Sequence, residues 1–269
     1  MRFIHATVAL CMAIALTPAL ASAQKDASKI IQQALQVYEE GAQNTDSYRM
    51  TAETMGFESK TLMKKEIIDG HPVFVPAQFS GSEDAQWESP QNWFRQIADR
   101  AQYDGTEEVD GRRCHVVSID NFEGIDVSPG IQSDGEFQPT WMSIAIAEDH
   151  LPRRMRMKGN TVIEGSAREV SILALMTDYR QINGMYHPFR ILIEAEGFMG
   201  PGGASEKDMA EAQESLEELE RSLEDMSDQE RAMVEKMMGG QLERLREMVT
   251  SGKLKLEMVV TSIEPNVAE

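Results

Sequence analysis

Four short dipeptides limit the architecture open to this chain: Asp69-Gly70, Asp110-Gly111, Gly159-Asn160 and Asn183-Gly184. Gly, Asn and Asp accept the positive φ that a two-residue hairpin turn requires. Such a turn can join only antiparallel neighbours, because parallel strands need a crossover of about a dozen residues or more. The flanking segments are short and strand-like. The expectation is an antiparallel meander, with each dipeptide marking a reversal.

The strands have one dry and one wet side. In the segment RRMRMK, Met155 and Met157 alternate with Arg154, Arg156 and Lys158. In PFRILIEAE, Phe189, Ile191, Ile193 and Ala195 oppose Arg190, Leu192, Glu194 and Glu196. In KLKLEMVV, Leu254, Leu256, Met258 and Val260 oppose Lys253, Lys255 and Glu257. Side chains alternate across a strand, so this pattern predicts one curved sheet that wraps something on its apolar face. Two helices are available to be wrapped. Residues 26–43 carry Ile30, Ile31, Ala34, Leu35, Val37 and Tyr38 at helical spacing, with Gly41 placed to end the helix. Residues 90–102 bring Trp93, Phe94, Ile97 and Ala98 to one side.

Residues 204–251 follow a different rule. Met209, Ala212, Leu216, Leu219, Leu223 and Met226 recur in alternating steps of three and four, a narrow seam on an acidic helix. Ser227 to Glu230 has the spacing of a capping box, and Val234, Met238, Leu242, Leu245 and Val249 continue the stripe. The expectation is a Met-rich acidic helical hairpin inserted between two strands.

The N-terminus reads as an export signal. Arg2 precedes an apolar run from Ala6 to Leu16, and Ala21-Ser22-Ala23 offers a small-residue cleavage site. Residues 1–23 are therefore assigned to a signal peptide, cleaved near Ala23 to leave a soluble exported chain. The run is too short to span a bilayer, and no later stretch reads as a transmembrane segment. Cys11 lies inside the run after bulky Leu10, which argues against a lipid anchor. Cys114 is then the only mature cysteine; it can form no internal disulfide and reads as a small apolar strand residue.

Composition narrows the function classes. A formal charge of −19 repels nucleic acid and anionic headgroups. His71, His115, His150 and His187 are isolated in sequence, so zinc spacing is missing. There is no nucleophile elbow, and the glycines of GFMGPGG lack the Lys-Ser/Thr of a phosphate loop. No enzymatic activity, metal or cofactor is expected. Methionine is abundant at 18 residues. Its softness suits irregular core gaps or an adaptable apolar surface. Thioether copper binding through Met233, Met237 and Met238 is the weakest reading, since no His or Cys reinforces them.

Two segments, DYRQINGMYHPFRI (178–191) and DHLPRRMRMKGN (149–160), resemble the outer-membrane lipoprotein-sorting proteins, the LolA-like superfamily. YDGTEEVDGRRCHVVSI (103–119) is similar to the paired strands of that group. The resemblance spans roughly residues 26–200 and the last strand, 253–264. It implies an α+β fold: an unclosed antiparallel β-barrel, or half-barrel, formed by residues 24–269, with lid helices; the helical hairpin inserted at 204–251 is where this chain departs from the family. It further implies a periplasmic carrier or sensor whose dry interior accepts an acyl chain of a lipoprotein or lipid. Met155, Met157, Phe189, Ile191, Ile193, Leu254, Leu256 and Met258 are the expected lining, although each could equally serve only to touch a lid helix. The competing expectation is an interaction scaffold, its barrel filled by its own side chains and its 204–251 hairpin binding a protein partner or dimerising.

Overall fold

The computed structural model describes residues 26–79, 90–125, 137–163, 166–197, 214, 221–222, 226 and 253–267. The assigned signal peptide and, apart from four isolated positions, the expected 204–251 hairpin lie outside the described residues. Helix α1 covers residues 26–42. It is followed by β1 (Ser47–Thr54), β2 (Phe57–Ile68), β3 (His71–Pro76), a single 3-10 turn (Ala77–Phe79) and α2 (Pro90–Ile97). Then come β4 (Gln102–Val109), β5 (Arg112–Ile119), β6 (Gln138–Ala147), β7 (Pro152–Ile163), β8 (Ser166–Ile182), β9 (Met185–Glu196) and β10 (Lys253–Pro265).

The strands form one ten-stranded sheet in the order β3-β2-β1-β10-β9-β8-β7-β6-β5-β4. Every neighbouring pair is antiparallel. Two meanders, β1–β3 and β4–β9, are thus joined by the C-terminal strand, which pairs with β1 on one side and β9 on the other. Strands β3 and β4 are the free edges, so the sheet is not closed.

Three of the four expected turns are present. Asp69-Gly70, Asp110-Gly111 and Asn183-Gly184 all have positive φ at both positions, from 51° to 93°, as a type I′ turn demands. Gly159-Asn160 is a correction. It lies inside β7, where Gly159 pairs with Val170 of β8 and Pro139 of β6. The glycine serves a close approach instead: a Cβ there would meet Gln138 O and Phe137 Cζ, both at 2.5 Å. Gly159→Ala is expected to destabilise the fold by about 1–2 kcal/mol, read as a lowered urea midpoint. An unchanged midpoint would mean that Phe137 moves aside freely.

A turn of the same kind went unmarked in the sequence. Met55 and Gly56, at φ 54° and 81°, join β1 to β2. Methionine seldom adopts positive φ, so only the glycine could have signalled it.

Gly41 is a second correction. Helix α1 runs on to residue 42, and Gly41 does not end it. A Cβ at Gly41 would lie 2.8 Å from Gly184 O and 3.0 Å from Met185 Cα. The missing side chain lets α1 sit directly on the β8–β9 turn. Asn183 latches the same junction by donating from Nδ2 to Asn44 O (2.7 Å) and Thr45 Oγ1 (3.0 Å).

The sheet curls around the helices. Laid flat, ten strands would separate the two edges by nine spacings of about 4.8 Å, roughly 43 Å. Yet Glu39 of α1 holds both sides at one oxygen. Its Oε1 is 2.8 Å from His71 Nδ1 on edge strand β3 and 3.0 Å from Arg95 Nη2 on α2, the helix that leads into the other edge strand. Inside the curl, Ala27 and Ile31 of α1 and Ile97 of α2 share a core with Val117, Met142, Ile144, Met157 and Val170 of the sheet.

Arg95 makes this clasp consequential. Its side chain is 15% exposed, and its Nε and Nη1 have no hydrogen-bond partner among the described residues. Removing the carboxylate with Glu39→Gln leaves that cation poorly compensated, and a loss of about 2 kcal/mol is expected in chemical denaturation. A midpoint equal to that of the unmodified chain would show that other contacts hold the curl.

Candidate functional site

A cavity of about 290 Å³ lies between α1 and the inner side of strands β6 to β9. Helix α1 supplies Ala34, Leu35, Val37 and Tyr38, and α2 supplies Phe94. Ile144 comes from β6, Met155 from β7, and Ala174, Met176 and Tyr179 from β8. Met185, Tyr186, Pro188 and Ile191 come from β9, and His150, Leu151 and Pro152 from the β6–β7 turn and the start of β7. The volume is about twice the ~150 Å³ of an apolar cavity that takes up benzene. The lining is dominated by carbon.

The pairing explains where the cavity sits. The β6–β7 and β8–β9 turns lie at the same end of the sheet, because successive antiparallel strands reverse direction. Helix α1 reaches that end with its last turn, seated on Gly184. Strand β9 ends and β10 begins at the opposite end, where Glu196 and Lys253 face each other across one rung.

Two tyrosine hydroxyls of the lining are engaged by backbone groups. Tyr179 Oη donates to Pro152 O at 2.6 Å, fastening β8 to the start of β7. Tyr38 Oη accepts from the Phe74 N–H at 3.2 Å. Burial pushes both phenols above their ordinary range, so each stays neutral. Arg153 stacks its guanidinium 4.5 Å from the centre of the Tyr179 ring and pairs with Asp149 at 2.5 Å. The LPRR and DYR segments, far apart in sequence, therefore meet here through Pro152, Arg153 and Tyr179.

His150 departs from the economical choice for its turn. Ala147 O accepts from the His150 N–H at 2.9 Å, and Leu151 O accepts from the Ala147 N–H at 3.0 Å. His150 itself has φ 62°, a left-handed conformation in which glycine is free of strain and other L residues cost about 1–2 kcal/mol. Among the described residues no hydrogen bond engages its ring.

Of the residues expected from sequence to line a ligand site, Met155 and Ile191 border this cavity. Met157 is buried in the main core, with Ile193 and Leu254 packed against it. Phe189 belongs to a separate cluster with Ala52 and Val260, and Met258 packs on that cluster. Leu256 is half-buried and pairs with Ile193. The contributions of α1, β8 and the His150 turn were not anticipated as lining. The α1 stripe was visible as an apolar face, but alternation and helical spacing give dryness alone. They do not tell whether a dry side chain meets another side chain or a void.

Other chemistry is sparse. Cys114 is fully buried, and burial raises its thiol above the ordinary value, which opposes thiolate formation. Among the described residues, no three His, Cys, Asp or Glu side chains converge to hold a metal, and no helix is long and apolar enough to cross a membrane.

No family model and no curated protein matches this chain. Among solved structures, the chain is similar to a DUF1329 family protein from Desulfovibrio piger, at 11% identity and a TM-score of 0.42, over 90% of this chain and 94% of that one. It is also similar to the lipoprotein LppX of Mycobacterium tuberculosis, at 14% identity and a TM-score of 0.23, over 48% of this chain and 87% of that one.

Proposed function

We propose that this protein is an exported, periplasmic carrier or sensor that holds one apolar acyl chain, from a lipid or a lipoprotein, beneath α1. The observation that carries this reading is the carbon-lined cavity of about 290 Å³ between α1 and the curled sheet. Helix α1 acts as the lid. The sequence resemblance to lipoprotein-sorting proteins and the leader at residues 1–23 support the compartment. The role proposed is binding, through the hydrophobic contact that the lining offers.

The energetics suffice. Each methylene removed from water contributes about 0.8 kcal/mol. A chain of eight to twelve carbons therefore gains roughly 6–10 kcal/mol before the cost of association. The test is to purify the protein after export, extract it with organic solvent and analyse the extract by mass spectrometry. The expected result is stoichiometric acyl lipid, with a hydrophobic dye bound only after extraction. Absence of both lipid and dye binding would remove the proposal. N-terminal sequencing of the same sample is expected to begin at Gln24.

One feature favours an additional partner-binding role for residues 204–251. Strand β9 ends and β10 begins at a single rung of the sheet, Glu196 opposite Lys253, at the end away from the β6–β7 and β8–β9 turns. Native mass spectrometry of the full chain and of a chain lacking 204–251 tests this, through loss of a dimer or of a bound partner.

A further inference from the structure

We infer that the cavity selects a single-chain amphiphile with an anionic carboxylate head, bound tail inward, and that His150 is the residue that recognises the head. The inference rests on the acyl-binding reading of the same cavity.

The polar inventory of the lining points to the rim. Four lining side chains carry polar atoms: Tyr38, His150, Tyr179 and Tyr186. The hydroxyls of Tyr38 and Tyr179 are engaged by backbone groups. The His150 ring and the Tyr186 hydroxyl have no partner among the described residues. Tyr186 is 44% exposed and His150 is half-buried, so both stand between the cavity and solvent. An apolar interior with donors only at its rim fits a ligand whose acceptors lie at one end. The volume admits one alkyl chain and leaves the head outside the dry part.

Charge around the rim agrees with an anionic head. Asp149, beside His150, is engaged by Arg153 at 2.5 Å, by Arg112 at 3.3 Å and by the Leu151 N–H at 3.3 Å. Glu148 is exposed and is the one other carboxylate of the turn. Two arginines and two carboxylates leave this turn near neutral, in a chain whose formal charge is −19. The rest of the surface disfavours anions, so a preference for a carboxylate would have to arise locally.

The residue choice is the second observation. Glycine would relieve the left-handed φ at position 150. A histidine held there keeps a ring on the cavity wall at the expense of the turn, a pattern associated with binding positions.

The experiment uses the full-length, delipidated protein with dodecanoate and dodecanol, titrated separately by calorimetry below their aggregation limits. The unmodified protein is expected to bind dodecanoate about ten-fold more tightly than dodecanol, since hydrogen bonds to a charged acceptor are the stronger kind. In His150→Gly that ratio is expected to fall to within about two-fold of unity while the melting midpoint rises. His150→Asn tolerates the same φ and keeps a donor, and is expected to retain part of the ratio. A ratio near one in the unmodified protein, or a ratio that survives His150→Gly, overturns the head-group assignment and leaves acyl binding standing. Failure of both probes to bind overturns acyl binding as well.

Discussion

Ala174→Phe is expected to empty the protein of its ligand without unfolding it. Ala174 lies on β8 and faces the cavity, across from Ala34 of α1. The added ring is benzene-sized, and about 290 Å³ leaves room for it. The substitution displaces the space of roughly six methylenes, worth about 0.8 kcal/mol each. Affinity for an alkyl probe is therefore expected to fall at least 100-fold, in round numbers, while the thermal midpoint holds or rises as a void is filled. Adding Ala34→Phe from the opposite wall should complete the loss. Fluorescence titration with a hydrophobic dye, alongside a melting curve, checks both parts. A folded Ala174→Phe protein that binds with unchanged affinity would place the ligand elsewhere.

The second large effect is acid sensitivity from His187. This side chain is 9% exposed and sits edge-on to Tyr48, with ring centres 4.9 Å apart. Burial pulls its pKa from the ordinary 6.5 down to about 4. Above pH 6.5 the ring is neutral in both folded and unfolded chains and has no effect on stability. Between pH 6.5 and 4 the unfolded chain takes up a proton that the folded chain refuses, so stability is lost as the pH falls through that window. The full loss is about 3 kcal/mol, from roughly 1.36 kcal/mol per pKa unit. His187→Phe removes the titration. The difference in unfolding free energy between the two proteins is expected to be constant above pH 6.5 and to change steadily from there to pH 4, in favour of His187→Phe. A difference that stays constant down to pH 4 would mean that the imidazolium is accommodated in the fold.

Much of this fold was legible because its signals are local. Asp-Gly and Asn-Gly at 69, 110 and 183 name a backbone conformation that few other residues accept, and the chain turns at each. Gly159-Asn160 carries similar composition but answers to Phe137, a residue of the neighbouring strand's approach, which no local window contains. The Met55-Gly56 turn escaped for the opposite reason, since its first residue contradicts its conformation.

The candidate site was less legible. Met155 and Ile191 could be picked out as apolar strand residues, but so could Phe189 and Leu256, which do not border the cavity. What separates them is their neighbours: Phe189 packs with Ala52 and Val260 and Leu256 pairs with Ile193, whereas Met155 and Ile191 border the space beneath α1. The seat of α1 is fixed by Gly41 on Gly184 and by Glu39 between His71 and Arg95, contacts spanning much of the chain. His150 stood out in the sequence only as an isolated histidine, because its left-handed backbone is a property of the folded turn.

The central place of β10 has a consequence for how this protein comes into being. Strand β10 is the keystone between two arcs, and Val260 cannot meet Ala52 until all nine preceding described strands have been made. Contacts of such long sequence separation form slowly. Until β10 is in place a growing chain holds two separate arcs, each with an unpaired flank, on β1 and on β9, where the keystone will sit.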